Sequence, residues 1–129
     1  MKKISLLTKI TFHISNIGLI FIYLYPGSIF GWFFYDDIKK QPQLTSDFMI
    51  ISSNHFYVFI YLSLLGLFSY NKDKIKILFS YLFFISIFLE LLHILIPQRS
   101  FQYQDLLGNF FGFFIIFIFF NLYIFFKRV

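Results

Sequence analysis

Apolar residues along this chain fall into four long runs, at about 10–25, 51–70, 75–96 and 105–126, separated by Pro, Gly and charged positions. The first run ends at Pro26-Gly27, and its first half is interrupted by Thr11, His13, Ser15 and Asn16. The second opens on Ser52, Ser53, Asn54 and His55. The third holds 22 residues, about 33 Å at 1.5 Å per residue, enough to cross the hydrocarbon of a bilayer. The fourth is nearly unbroken apolar sequence beyond Asn109. The pattern predicts an all-α integral membrane bundle of four transmembrane helices in a single domain, residues 1–129. Lys2-Lys3 before the first run resembles the start of a signal peptide, but no small-x-small cleavage site follows, so that run is read as a retained span.

Composition agrees with this reading. Hydrophobic residues make up 59% of the chain and charged residues 13%, and the mean hydropathy of +0.77 is far from that of a soluble globular domain. Cysteine is absent, which excludes disulfides, thiolate metal sites and a Cys nucleophile. With 23 Phe and no Ala, most phenylalanines are bulk for lipid or core. The net charge of +5 comes from lysines at span ends and not from an aromatic-interleaved basic patch, so no nucleic-acid partner is expected.

Those same charges predict orientation. Eight of the eleven Lys and Arg fall in the N-terminal flank (Lys2, Lys3, Lys9), the loop between the second and third runs (Lys72, Lys74, Lys76) and the C-terminal flank (Lys127, Arg128). Lys39, Lys40 and Arg99 lie on the other side. The positive-inside rule then puts both termini in the cytoplasm and segments 26–54 and 97–104 outside. Within the first of these, Trp32, Phe33, Phe34 and Tyr35 precede Asp36, Asp37, Lys39 and Lys40, as in a segment lying along lipid headgroups.

Candidate chemistry concentrates where polar groups are costly. Glu90 lies inside a span, where a carboxylate costs roughly 2.5–3.5 kcal/mol on insertion scales. Ser86, Glu90 and His93 are spaced i, i+4, i+7 on one face of the third helix, and Asp105, Asn109 and Gly112 repeat that spacing on the fourth. Gly108 and Gly112 form a small-x-x-x-small pair that admits a close helix neighbour. The loop between these helices carries Arg99, and His55 begins the second span at the same level. His55, Glu90, His93, Arg99, Asp105 and Asn109 are therefore expected to gather near the outer surface.

Several readings of that gathering stay open. It is either a structural cluster, with Arg99 neutralising Glu90 or Asp105, or a pocket for a lipid headgroup or phosphate, where a guanidinium can donate two parallel hydrogen bonds. No metal or cofactor is expected. Glu90-x-x-His93 has the spacing of di-iron bundles, but those need further glutamates and this chain has one. A mononuclear site using His55, Glu90, His93 and Asp105 remains an alternative. His13 and Asn16 belong to the inner half of the first helix and are expected to bond between helices away from the cluster.

The stretch ELLHILIPQRSFQYQDLLGNFFG, with Glu90, Arg99, Asp105, Asn109 and Gly112, resembles the VanZ-like family of small bacterial membrane proteins. His55-Phe56 followed by Tyr61-Leu62 is similar to that family's His-Phe span, and the resemblance covers roughly residues 50–115. The family often has Asp-Lys where this chain has residues 51–54, and Gln where it has His93. The resemblance implies a multi-pass protein of the bacterial inner (cytoplasmic) membrane and a cell-envelope role, the founding relative being linked to glycopeptide-antibiotic resistance. The expected function is non-enzymatic recognition of an anionic lipid or lipid-linked envelope precursor. The alternatives are a membrane enzyme using Glu90 or Asp105 as general base with His55 as partner, and a small structural or accessory subunit.

Overall fold

The computed structural model describes residues 2–128, with five helices among them: α1 (Lys2–Leu24), α2 (Ile29–Tyr35), α3 (Ser53–Ser69), α4 (Lys72–Leu92) and α5 (Tyr103–Arg128). α1, α4 and α5 are each long and apolar enough to cross a membrane. α3 is shorter, at 17 residues, or about 26 Å. These four run alternately up and down and pack in the ring α1–α3–α5–α4, with α1 and α5 at opposite corners. One end of the bundle therefore collects the last turns of α1 and α4 and the first turns of α3 and α5. This is the end where the polar residues lie.

Helix boundaries depart from the sequence pattern for local reasons. α1 begins well before residue 10, because Lys2, Lys3 and Lys9 are good helix formers even though they are not apolar. α4 ends at Leu92, not at 96: a residue before proline is pushed out of the αR region, and Gln98 just beyond Pro97 sits at φ 61°. His93 instead closes the helix, donating its backbone N–H to Glu90 O and Leu91 O. α2 was legible only as an aromatic belt. It forms because Ser28 caps it, accepting from Gly31 N at 2.9 Å, and its Trp32, Phe33 and Phe34 project outward at 61–72% exposure.

The core is a single stack of Phe12, Phe59, Leu62, Leu78, Phe79, Leu82, Leu89 and Phe113 between the four long helices. Apolar side chains also cover the outside, including Ile14, Phe21, Phe84, Phe88, Phe119 and Phe125 at 59–68% exposure. An apolar coat on all sides is what acyl chains solvate and water does not. Serines inside the runs hydrogen-bond to their own helices: Ser63 Oγ donates to Phe59 O at 2.6 Å and Ser86 Oγ to Phe83 O at 2.7 Å.

The small-residue pair on α5 faces α3. A Cβ on Gly108 would stand 2.6 Å from Ser52 O, and one on Gly112 would stand 2.5 Å from Phe56 O. Absence of side chains there lets two backbones meet, and this contact sets His55 against Asp105 and Asn109.

Candidate functional site

Position is imposed on each polar side chain by local bonding. The first turn of α3 is held by the preceding loop: Asp47 Oδ1 accepts from Ser53 N at 3.0 Å, and Asn54 Nδ2 donates to Pro42 O. Ser52 N donates to Gln104 O at 3.0 Å, joining the starts of α3 and α5. His55 is thereby fixed in the first turn of α3, beside Asp105 and Asn109 on α5. Glu90 and His93 face inward from the last turn of α4, at 0% and 1% exposure.

Tyr23 and Asn109 form the hub. Asn109 Nδ2 donates to Ser86 O at 3.0 Å, which identifies the other amide atom as the oxygen. That Oδ1 accepts from Tyr23 OH at 2.6 Å and lies 3.0 Å from His55 Nδ1. Since Oδ1 can only accept, His55 Nδ1 carries a proton, shared with the Tyr23 hydroxyl oxygen at 2.9 Å. The other ring nitrogen, Nε2, faces Asp105 Oδ2 at 3.5 Å. The Tyr23 carbonyl serves as well, accepting from His93 Nε2 at 2.9 Å.

Glu90 is half satisfied. Oε1 accepts from Gln102 N at 2.9 Å. Oε2 stands 3.2 Å from His93 Nδ1 but off the hydrogen-bond direction, so it is a fully buried acceptor with no donor among the described residues. Arg99 does not neutralise it, and no ion pair joins Arg99 to Glu90 or Asp105 among the described residues. Instead Arg99 Nε donates to Tyr25 O at 3.1 Å and Nη2 to Ile22 O at 3.0 Å, capping the last carbonyls of α1. Burial pushes its guanidinium down from the ordinary arginine value, and the nearby Asp105 pushes it back up. Three of its five N–H groups remain for another acceptor.

The expected gathering is thus present, with His55, Glu90, His93, Arg99, Asp105 and Asn109 at one end of the bundle. Ligand-capable atoms of His55, Glu90 and Asp105 all lie within 4.8 Å of one another, although no metal was expected. His93 stands outside that trio. His13 and Asn16 do stay apart: His13 Nε2 pairs with Tyr70 OH at 3.0 Å, and Tyr81 OH donates to Asn16 Oδ1 at 2.8 Å. Tyr23 was missed, because a tyrosine at the end of an apolar run reads as an interfacial anchor. Its i, i+7 spacing from Asn16 on the polar stripe of α1 was the available signal.

A polar cavity of about 280 Å³ opens over the cluster, lined by Lys39, Asn54, His55, Arg99, Gln102 and Asp105 among others. Glu90 does not line it, so of the two carboxylates considered as bases only Asp105 reaches the opening. Next to the cavity runs an apolar groove of about 370 Å³ between α1, α2 and α3, walled by Leu19, Ile22, Phe30, Phe34, Leu44 and Val58. Gln41, Gln43, Asn54 and His55 border both spaces. Comparison with protein families, curated proteins and solved structures finds no match to this chain.

Proposed function

We propose that this chain is a VanZ-like, four-span protein of the bacterial cytoplasmic membrane that holds one anionic amphiphile, a lipid or lipid-linked envelope precursor. In this reading the charged head sits in the polar cavity and the tail lies in the groove. The observation that carries it is the junction of the two spaces along Gln41, Gln43, Asn54 and His55. A polar and an apolar space that share four lining residues would let one molecule put a charged head in the first and a tail in the second. A lipid has that same division between head and tail.

Arg99 and Lys39 would supply the positive charge for a phosphate, and the exposed aromatics of α2 support a groove at the level where acyl chains begin. α3 completes the fourth crossing in this proposal. Its flanks are protein, so 17 residues suffice without facing much lipid. An accessory-subunit role would need neither cavity nor groove.

Native mass spectrometry of the protein from nanodiscs of phosphatidylglycerol and phosphatidylcholine tests the reading. Wild type should retain phosphatidylglycerol. Lys39→Ala, which removes an exposed charge, and Val58→Trp, which fills the groove, should each lower retention about tenfold, the effect of roughly 1.4 kcal/mol. The opposite end carries its own basic cavity of about 550 Å³ with Lys72, Lys76, Lys127 and Arg128, so Lys127→Ala is the control and should not matter. Equal loss in Lys127→Ala, or none in the first two, sinks the proposal.

A further inference from the structure

We infer that His55, Glu90 and Asp105 form a binding site for a single divalent zinc ion beneath the polar cavity. The inference begins with the His55 ring. Asn109 Oδ1 and Tyr23 OH fix the proton on Nδ1, so the neutral ring directs the Nε2 lone pair at the Asp105 carboxylate. Two acceptors then face each other at 3.5 Å. A proton between them would draw the heavy atoms to about 2.7–2.9 Å, the usual span of a charge-assisted hydrogen bond. Two ligands on one tetrahedral zinc, with bonds of about 2.0–2.1 Å, stand roughly 3.4 Å apart. The 3.5 Å separation in the structure is close to that metal edge.

Glu90 supplies the independent observation. Its side chain is fully buried, and Oε2 has no hydrogen-bond donor among the described residues. His93 Nδ1 stands 3.2 Å from it, an ion pair only when the ring is doubly protonated; with one proton, on Nε2 and given to Tyr23 O, the ring offers Oε2 no donor. The ligand atoms of the trio lie within 4.8 Å of one another, so they close on one ion with a carboxylate movement of roughly 1–1.5 Å, given zinc bond lengths. Arg99 makes no ion pair with either carboxylate among the described residues, its Nε and Nη2 being bonded to the Tyr25 and Ile22 carbonyls, so a divalent cation is the partner the two carboxylates call for.

Surroundings fit the same assignment. A metal-bound histidine regularly donates its other N–H to an oxygen acceptor that fixes its tautomer, here Asn109 and Tyr23. A mixed imidazole and carboxylate set suits zinc better than calcium, which prefers oxygen ligands in larger number. His55 and Asp105 both line the polar cavity, which gives the ion a path of entry. Three protein ligands leave the fourth position of tetrahedral zinc for water or for a phosphate oxygen. The ion site stands on these three side chains and does not require a bound lipid.

The test is zinc binding by the full chain in detergent after dialysis against EDTA, followed by calorimetry and elemental analysis. Wild type should take up about one Zn²⁺ per chain and hold it in preference to Ca²⁺. Asp105→Asn keeps the shape and removes the charge, and it should weaken binding at least tenfold, as should His55→Ala. Tyr23→Phe removes only one of the two acceptors at His55 Nδ1 and leaves Asn109 to fix the tautomer, so it should weaken binding less than Asp105→Asn, by about tenfold at most. His13→Ala, at the far end of the bundle, should leave binding unchanged. Helical circular dichroism confirms that each variant is folded. Failure to take up zinc, preference for Ca²⁺, or equal affinity in folded Asp105→Asn overturns the assignment, and none of these results bears on lipid retention.

Discussion

Asn109 has an acceptor oxygen and an amide nitrogen, and the cluster uses both. Its oxygen takes the Tyr23 hydroxyl and the His55 ring, and its nitrogen satisfies the Ser86 carbonyl. Replacing it with Leu takes the acceptor from the buried Tyr23 hydroxyl proton and the side-chain donor from Ser86 O, leaving His55 Nδ1 only the Tyr23 oxygen, and an unsatisfied buried group costs about 1–3 kcal/mol. Tyr23→Phe removes one hydroxyl while Asn109 keeps its bond from His55, so its cost should be about 0.5–1.5 kcal/mol. Thermal unfolding in detergent should therefore rank Asn109→Leu well below Tyr23→Phe, with Tyr23→Phe close to wild type. Equal loss would mean that Asn109 is not the hub. At this scale the sequence was informative wherever a polar group is expensive in lipid, as at Glu90, Asp105 and Asn109. It was silent where the partner is a main-chain carbonyl. Neither the Tyr23 carbonyl that receives His93 nor the Ile22 and Tyr25 carbonyls that occupy Arg99 leave any mark in residue type.

Helices meet here by two different devices. α4 and α5 pack through phenylalanine rings, such as Phe79 against Phe117 at 4.9 Å between centroids. α3 and α5 pack through bare backbone at Gly108 and Gly112. The sequence showed the glycine pair but not which helix it received, because Gly108-x-x-x-Gly112 is compatible with any neighbour. A Cβ at Gly112 would meet the Phe56 carbonyl and the Phe59 Cβ at 2.5 and 2.8 Å, neither of which can swing aside. Gly112→Val should cost about 1–3 kcal/mol or more by overpacking, and it should part His55 from Asp105 as α5 retreats. Gly18 on α1 has nothing within 4 Å of the same position, so Gly18→Ala should stabilise by up to about 1 kcal/mol through helix propensity. Unfolding midpoints that move in the same direction for both would show that the α3–α5 contact is looser than this.

Charge along the whole chain predicts an orientation, while the packing of α3 decides whether that orientation is possible. The eight-to-three division of Lys and Arg has meaning only if α3 crosses the bilayer, since otherwise Lys72, Lys74 and Lys76 share a side with Lys39. α3 is short for a span, yet its buried face of Phe59, Leu62, Ser63 and Gly66 is surrounded by α1, α4 and α5. A helix shielded in this way meets little hydrocarbon along its length, and thinning or tilt takes up the remaining few ångströms. Because the chain contains no cysteine, single cysteines report sidedness without background. In intact cells a membrane-impermeant maleimide should label Gln43→Cys and Ser100→Cys. It should reach Lys74→Cys only after permeabilisation. All three positions are exposed, so an unlabelled site reflects topology and not burial. If Lys74→Cys reacts from outside together with Gln43→Cys, α3 is re-entrant, and the basic ends no longer share a compartment. The polar cavity would then lie at a different depth from the outer headgroups, and the proposed amphiphile would have no route into its groove.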